Sequence, residues 1–347
     1  MNRHARSRLR LSVLIAAAWL AQACGTAPPQ PGPAETVREQ LPEPGAQVIG
    51  RDQDFIVVVP RSGDTMAMLA QRYLGDANRA WWIAEFNNVT QARAGQELVI
   101  PLKARNPIGV YNNGFQTVPV LCYHRFSSNR GKLAVTPSAF AAQLDYLAQH
   151  NYRVITLAQL QAFLHGREAL PRQTVVITID DGYRSTYDIA FPLLKKYGFP
   201  ATVFLYSDFV GAGDALTWTQ MQEMTRSGLI EIQPHSKTHS NLTLRLAQEG
   251  EPQYRERMRR EVETPSAVIE DRLANRVASY AYPYGDTNEV VVDQLAHRGI
   301  ALGLTVTPGS NGFFANPYML RRTMIYGEDD LTAFAAKLSV FTKSAAR

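Results

Sequence analysis

The feature that most constrains the fold is a regular alternation of strand-like and helix-like segments from residue 117 to about residue 341. Short apolar runs of the kind found in buried strands lie at 118–123, 153–155, 174–179, 201–206, 229–233 and 277–282. The segments between them have the spacing of amphipathic helices. This alternation predicts an α/β domain with a mainly parallel sheet or barrel. Because active sites of such folds gather at the carboxyl ends of the strands, polar residues that follow a strand are the first functional candidates.

Two short motifs follow predicted strands. In TIDDGY, the adjacent carboxylates of Asp180 and Asp181 are costly at a strand end unless a metal or hydrogen bonds stabilise them, although Asp-Gly is also a common turn dipeptide. In HSKTH, His235 and His239 stand four residues apart, a spacing that suits two imidazoles on one metal. Together the motifs predict one carboxylate and two histidines around a divalent metal with a position open for water.

These residues resemble the polysaccharide deacetylases of carbohydrate esterase family 4, whose third motif is matched by YAYPYGD at 280–286. The resemblance covers 117–341 and implies a distorted (β/α) barrel of about seven strands. It implies that Asp181, His235 and His239 bind the metal, which is most often Zn²⁺, with Co²⁺, Ni²⁺ or Mn²⁺ as alternatives. It also implies that Asp180 is the general base and that the backbone N–H of Tyr284 stabilises the oxyanion. The implied reaction is N-deacetylation of a polysaccharide that contains N-acetylglucosamine.

The chain departs from the family pattern at two positions. Ala281 stands where the family has an arginine, and the late catalytic histidine is missing, since His297 lies in a helical stretch that is typical of a solvated surface. His124, which ends the strand at 118–123, is the candidate replacement for the general acid, or else a histidine that is hydrogen-bonded at the barrel mouth. Arg321 or Arg322 is the candidate replacement for the arginine that orients Asp180.

Other residues have weaker signals. Tyr183, Trp218 and Pro283 are candidate substrate contacts, since aromatic faces suit pyranose rings, but the aromatic residues fit ordinary core packing equally well. Cys122 lies in an apolar run and is interpreted as a buried strand residue. The charge run at 254–263 is interpreted as an exposed helix face.

A smaller unit precedes the α/β domain at 54–101. Its predicted order is strand, helix, helix, strand, which resembles the LysM fold, whose members bind glycans that contain N-acetylglucosamine. The alternative is a spacer domain without glycan affinity. The matching residues are Val57, Gly63, Asp64, Thr65, Ala70, Tyr73, Asn87, Gly95, Gln96, Leu98, Ile100 and Pro101.

The first 24 residues have the pattern of a signal peptide: arginines, then an apolar run at 11–20, then small residues before Cys24. Cys24 at the cleavage position resembles the lipidated cysteine of bacterial lipoproteins. We therefore expect an exported protein anchored through lipid at the periplasmic face of a membrane. Gly25 after the cysteine favours the outer membrane by analogy with lipoprotein sorting.

Composition and net charge support the remaining predictions, which concern the linkers and the partners of the protein. The segment 25–50 holds six prolines and is predicted to be a linker, as is the segment 102–116, which is rich in glycine and asparagine. The net charge of +5 depends on four arginines of the leader, without which 32 basic residues face 31 acidic ones. That balance gives no support to a nucleic-acid partner, and a monomer is expected.

The leading functional prediction is therefore a metal-dependent N-deacetylase of the cell envelope that acts on peptidoglycan or poly-N-acetylglucosamine. One alternative is a glycan-binding lipoprotein whose deacetylase domain is weakly active or inactive, because an arginine and a histidine are missing. Another is a metal-dependent amidohydrolase of a different kind, which fits the metal ligands but not the YPYG motif.

Overall fold

The computed structural model describes residues 45–129 and 131–344. The predicted leader and Cys24 lie outside this part of the chain. Within it, no helix combines the length and the apolar character that a membrane span requires.

The N-terminal module is a three-stranded antiparallel sheet with two helices. Its elements are β1 (Gln47–Arg51), β2 (Phe55–Val59), α1 (Met66–Leu74), α2 (Ala80–Asn87) and β3 (Leu98–Pro101), and β2 lies between the other two strands. The hydroxyl of Thr65 caps α1 by accepting the Met68 N–H at 3.2 Å, and Gly75 ends that helix in the left-handed conformation. The predicted order of strand, helix, helix and strand is present from β2 to β3. The linker prediction for 25–50 is wrong for its last residues, because 47–50 pair with β2.

The larger domain continues the alternation of strands and helices. Its elements are β4 (Val110–Tyr111), β5 (Gly114–Gln116), β6 (Val118–Tyr123), β7 (Arg125–Phe126), β8 (Ala134–Val135), α3 (Pro137–Gln149), β9 (Arg153–Ile155), α4 (Leu157–Leu164), β10 (Thr174–Ile179), α5 (Phe191–Tyr197), β11 (Ala201–Leu205), α6 (Trp218–Arg226), β12 (Ile230–Pro234), α7 (Glu251–Leu273), β13 (Ser279–Ala281), α8 (Glu289–Arg298), β14 (Leu302–Leu304), β15 (Ser310–Asn311), β16 (Thr323–Met324), α9 (Leu331–Ala336) and β17 (Phe341–Lys343). The linker prediction for 102–116 is wrong at its end, since β4 and β5 form a small antiparallel sheet with β17.

The main sheet consists of parallel strands in the order β16, β6, β10, β11, β12. Strand β9 also pairs with the start of β10, and β15 pairs antiparallel with β6. Every residue of β6, β10 and β11 is buried. Strands that are covered on both faces need continuous apolar sequence, which is why these runs are visible in the sequence without alternation.

Strands β13 and β14 form a separate parallel pair beside β12. The buried side chain of Gln233 joins β12 to this pair, since its Oε1 accepts the N–H groups of Ala278 and Ser279, both at 3.0 Å. An isolated parallel bridge links Leu304 of β14 to Leu320, just ahead of β16. The predicted parallel α/β architecture is thus confirmed, while closure of these strands into one barrel stays a prediction.

Replacing Gln233 by Ala should lower the free energy of unfolding by about 2–4 kcal/mol, because two buried N–H groups lose their acceptor. Gln222→Ala is the matched control, since that amide makes one solvent-exposed hydrogen bond to the Arg272 carbonyl. Urea denaturation followed by circular dichroism measures both. Equal stability of the two variants would show that Gln233 does not hold β13 to β12.

Candidate metal centre

The two adjacent carboxylates lie where β10 stops. Asp180 follows the last residue of β10, and its N–H still donates to the Tyr123 carbonyl of the neighbouring β6 at 2.8 Å. Asp181 and Gly182 then adopt left-handed conformations with φ of 73° and 81°. A side chain at position 182 would come within 2.8 Å of the Leu205 Cβ, so only glycine fits this turn. The strand therefore ends at Ile179, and the turn that follows places the side chains of Asp180 and Asp181 in different surroundings.

Three side chains of the two predicted motifs converge on one point. His239 Nε2 lies 3.2 Å from Asp181 Oδ1, and His235 Nε2 lies 3.7 Å from the same oxygen. One ligand atom from each of the three residues lies within 4.8 Å of the other two. This is the spacing that ligands of a single metal ion show around it.

The surroundings of these ligand atoms fit a divalent metal such as Zn²⁺. The carbonyl of Ala281 lies 2.8 Å from His235 Nδ1, and because a carbonyl only accepts, Nδ1 carries the proton and Nε2 keeps its lone pair for a metal. Burial lowers the pKa of His235 to about 4, so the ring is neutral as a ligand must be. Asp181 Oδ1 is buried and accepts no well-directed hydrogen bond from the described residues. Two imidazoles and one carboxylate are a common ligand set for catalytic zinc.

The Asp180 carboxylate, the predicted general base, is paired with the guanidinium of Arg322. Arg322, which is fully buried, donates to Asp180 Oδ1 at 2.6 Å and to Oδ2 at 2.7 Å, and its Nε donates to the Thr305 carbonyl at 2.9 Å. Burial raises the pKa of Asp180, but Arg322 outweighs burial and holds it well below its usual range. Of the two arginines proposed from the sequence, Arg322 therefore occupies this role, whereas Arg321 is exposed and donates to the Pro308 carbonyl.

The strand β6 delivers two further side chains to the site. The Cys122 thiol lies 3.4 Å from Asp180 Oδ2, and since burial raises its pKa it is protonated and donates. Cys122 is thus a buried strand residue, as expected. His124 comes directly after β6, and its buried Nδ1 has no hydrogen-bond partner among the described residues. The hydrogen bond at the barrel mouth that was the alternative for His124 is therefore not made by Nδ1.

A cavity of about 320 Å³ opens in front of these groups. Tyr284 lies at its edge with 60% of its surface exposed, and its ring meets His239 edge-on at 5.0 Å. Pro283 is buried and precedes Tyr284, whose φ of 60° is left-handed. The residues that line the cavity are His124, Lys132, Leu133, Asp180, Asp181, His235, His239, Tyr282, Tyr284, Val306, Met324 and Tyr326.

The three predicted substrate contacts do not line this cavity. Trp218 begins α6 and packs against the main hydrophobic core, which is the packing role stated as the alternative. The Tyr183 ring lies under the Arg125 guanidinium at 4.1 Å and meets Phe209 edge-on at 5.4 Å. Aromatic composition alone could not separate a ring that faces substrate from one that packs inside.

Some residues of the site carried no usable sequence signal. Lys132 and Tyr326 line the cavity but stand far apart in the chain, outside any motif. The charge run at 254–263 was expected to be exposed, and this is wrong for Glu261, which is 4% exposed and lies beneath the HSKTH turn. His297 is exposed in the last turn of α8, as expected.

Two histidines and a carboxylate that could hold a metal lie at the strand ends beside a second, ionised carboxylate, an arrangement typical of a metal-dependent hydrolase. Residues 167–303 match the family model for polysaccharide deacetylases. This segment of the chain is therefore similar to polysaccharide deacetylases.

Individual relatives agree with this assignment. The chain is 29% identical to YxkH of Bacillus subtilis over 219 residues, which is 63% of this chain and 75% of that protein. It is 25% identical to the poly-β-1,6-N-acetyl-D-glucosamine N-deacetylase of Escherichia coli K12 over 264 residues, but spans only 39% of that protein. The solved structure of IcaB from Ammonifex degensii is 29% identical, with a TM-score of 0.56, and the match covers 65% of this chain and 97% of that one. These similarities support the predicted resemblance to polysaccharide deacetylases and the predicted enzyme class, an N-deacetylase.

Replacing Arg322 by Met should lower the free energy of unfolding by about 3–5 kcal/mol, because Asp180 would remain as an unpaired buried charge. Arg321→Met is the matched control and should change stability by no more than about 0.5 kcal/mol. Adding Asp180→Asn to the Arg322→Met protein should recover part of the loss, since the stranded charge is removed. Denaturant titrations of all three proteins measure this, and a lack of recovery would contradict the pairing.

Proposed function

We propose that this chain is a metal-dependent N-deacetylase that removes acetyl groups from a polysaccharide containing N-acetylglucosamine. The observation that carries the proposal is the Asp180–Arg322 pair directly beside the convergent metal ligands. The name of the E. coli relative, a poly-β-1,6-N-acetyl-D-glucosamine N-deacetylase, favours poly-N-acetylglucosamine as the substrate. Peptidoglycan is the second candidate, which the N-terminal module favours.

In the proposed mechanism, Asp181, His235 and His239 hold the metal and Asp180 is the general base. When bound, a divalent metal supplies Lewis-acid polarisation of the scissile carbonyl and makes water more acidic. Arg322 keeps the Asp180 carboxylate ionised and fixed in one orientation. A fixed, ionised carboxylate at the edge of the cavity accepts the proton of the attacking water.

The departing amine needs a proton from a general acid, and the developing oxyanion needs a hydrogen-bond donor. His124 lines the cavity with an unpartnered ring nitrogen, so it is the proposed general acid. The backbone N–H of Tyr284 is the proposed oxyanion donor, a contribution of about 3 kcal/mol where one such donor has been removed elsewhere. The products are acetate and a free glucosamine residue in the polymer.

The inactive-protein alternative loses one of its two arguments. It depended on the arginine missing at position 281 and on the missing late histidine. Arg322 supplies a guanidinium to Asp180 from a different strand, and His124 brings an imidazole to the same cavity. Arg322 therefore removes the first argument, and the proposed role of His124 would answer the second. Together they favour an active enzyme.

We further propose that residues 47–101 form a LysM-like module that binds the same glycan. Trp81 and Trp82 lie on α2 but are not part of the hydrophobic core of their own module. With Phe86 and Tyr111 they line a cavity of about 310 Å³ that extends to the larger domain at Arg172. Such a set of half-buried aromatic rings and polar groups is typical of a ligand site.

The cell-envelope location is also a proposal. The pattern ahead of Cys24 supports export and lipidation of that cysteine, with the outer membrane favoured by Gly25. Two or more acyl chains would hold the protein at a membrane surface, since each buried methylene contributes about 0.8 kcal/mol.

Acetate release from poly-N-acetylglucosamine and from peptidoglycan, measured side by side with Zn²⁺ or Co²⁺ present, tests the enzyme. Asp180→Asn should lower turnover by about 10²–10⁴-fold, as loss of a general base does. His124→Ala should lower turnover by about 10²-fold while metal content by plasma mass spectrometry stays at the wild-type level. Undiminished turnover of His124→Ala would remove His124 from the mechanism. Absence of release from both polymers by a metal-loaded protein would reject the proposed reaction.

Glycan binding by the N-terminal module is tested in the Asp180→Asn protein, so that turnover does not consume the ligand. The double variant Trp81→Ala/Trp82→Ala should weaken affinity for N-acetylglucosamine oligomers by about 10-fold in calorimetry. Phe314→Ala is the control, because that ring is 64% exposed and lies outside this cavity. The module is a spacer if the double variant binds as tightly as the control.

A further inference from the structure

Glu261 is a buried carboxylate beneath the turn that carries both histidine ligands. It lies on α7 and is 4% exposed. Its Oε2 accepts the N–H groups of Lys237 and Thr238 at 2.9 and 3.0 Å, and its Oε1 accepts the Thr238 hydroxyl at 2.8 Å. Lys237 and Thr238 are two of the three residues between His235 and His239.

The turn needs such support because its backbone is strained. Ser236 has a φ of 74° and His239 a φ of 59°, both in the left-handed region that non-glycine residues seldom adopt. A residue in this region is energetically unfavourable and persists only where its surroundings enforce it. The Ser236 hydroxyl accepts the His239 N–H at 2.8 Å, and Glu261 binds the two residues between them.

Glu261 is itself costly to bury. Within 45–129 and 131–344, no lysine, arginine or histidine nitrogen is recorded within 4 Å of its carboxylate. A buried carboxylate without a cation is unfavourable unless hydrogen bonds satisfy it. Three donors from the five-residue HSKTH turn supply those bonds, so the carboxylate and the turn stabilise each other.

The helix is also adapted at this position. Pro265 lies inside α7 and has no N–H, so the carbonyl of Glu261, four residues earlier, is freed from the helical hydrogen-bond pattern. The buried Tyr280 hydroxyl donates to that carbonyl at 3.3 Å. Tyr280 lies on β13 next to Ala281, whose carbonyl orients His235. One residue of α7 is therefore linked to the metal-ligand turn through its side chain and to the strand that orients His235 through its backbone.

We propose that Glu261 is a positioning residue that shapes the metal site before the ion binds. The proposal rests on the metal centre of the proposed function but concerns metal affinity rather than catalysis. Removing a group that orients metal ligands weakens metal binding by about 10–100-fold in other proteins. The same range is expected here for Glu261→Ala, because the turn would lose three of its hydrogen bonds.

The test is the dissociation constant for Zn²⁺, measured by competition with a chromophoric chelator in the absence of any glycan. Glu261→Ala should bind about 10–100-fold more weakly than the wild type. Glu261→Gln should stay within about 3-fold, because its amide oxygen still accepts the two N–H groups and its NH₂ donates to the Thr238 hydroxyl. Thr238→Val, at an exposed position, removes the hydroxyl's bond to Glu261 together with its hydrogen bonds with Ser240, and should lose about 3–10-fold in affinity.

Two controls on the same helix separate positioning from general stability. Glu263→Ala removes an exposed carboxylate paired with Arg259 and should leave the dissociation constant unchanged. Glu270→Ala removes a half-buried carboxylate that pairs with Arg298 and accepts the Val277 N–H. It should lower the melting temperature without changing metal affinity.

The outcomes are distinguishable. Wild-type affinity in both Glu261→Ala and Thr238→Val overturns the proposal for Glu261. If Glu261→Ala does not fold, unchanged affinity of Thr238→Val overturns it alone. Equal losses in Glu270→Ala and Glu261→Ala also overturn it, because the effect would then follow stability. A wild-type protein that binds no Zn²⁺ rejects the proposed metal centre itself.

Discussion

The site depends on one buried ion pair, Asp180 with Arg322. Both groups are removed from water, which is unfavourable unless each charge is fully paired. The bidentate contact and the Thr305 carbonyl provide this pairing. The pair also joins β10 to the segment entering β16, so the residue that performs the proposed proton transfer is built into the main sheet. A carboxylate held in this way is ionised and immobile, whereas an unpaired one would protonate or move.

The candidate metal ligands are positioned by a second set of interactions, in which Arg322 takes no part. His235 is oriented by the Ala281 carbonyl, and the turn that leads to His239 is held by Glu261. Left-handed residues occur at Asp181, Ser236, His239 and Tyr284, all of them in or beside the proposed site. Backbone strain of this kind is maintained only by a rigid framework, and the buried parallel strands are that framework. The arrangement is consistent with a site that is formed before metal and substrate arrive.

The guanidinium beside Asp180 comes from a different part of the chain than the resemblance to the deacetylases implied. At position 281 the chain has alanine, whose backbone carbonyl has a function of its own toward His235. The guanidinium instead comes from residue 322, which follows about forty residues later in the chain. Parallel strands bring their ends to one edge of the sheet, so a side chain from one strand end can replace a side chain from another. The proposed replacement of the late histidine by His124 rests on the same geometry, because His124 also follows the end of a parallel strand.

The sequence by itself determined the α/β architecture and the three candidate metal ligands that the fold brings together. Strands buried on both faces have to be continuously apolar, and HSKTH and TIDDGY hold their ligands within a few residues of one another. Only the tertiary structure decided between Arg321 and Arg322, packed Trp218 against the core and revealed Glu261 as buried. These outcomes depend on contacts between residues that are far apart in the chain, and the local pattern of a charged helix does not show which of its faces is covered.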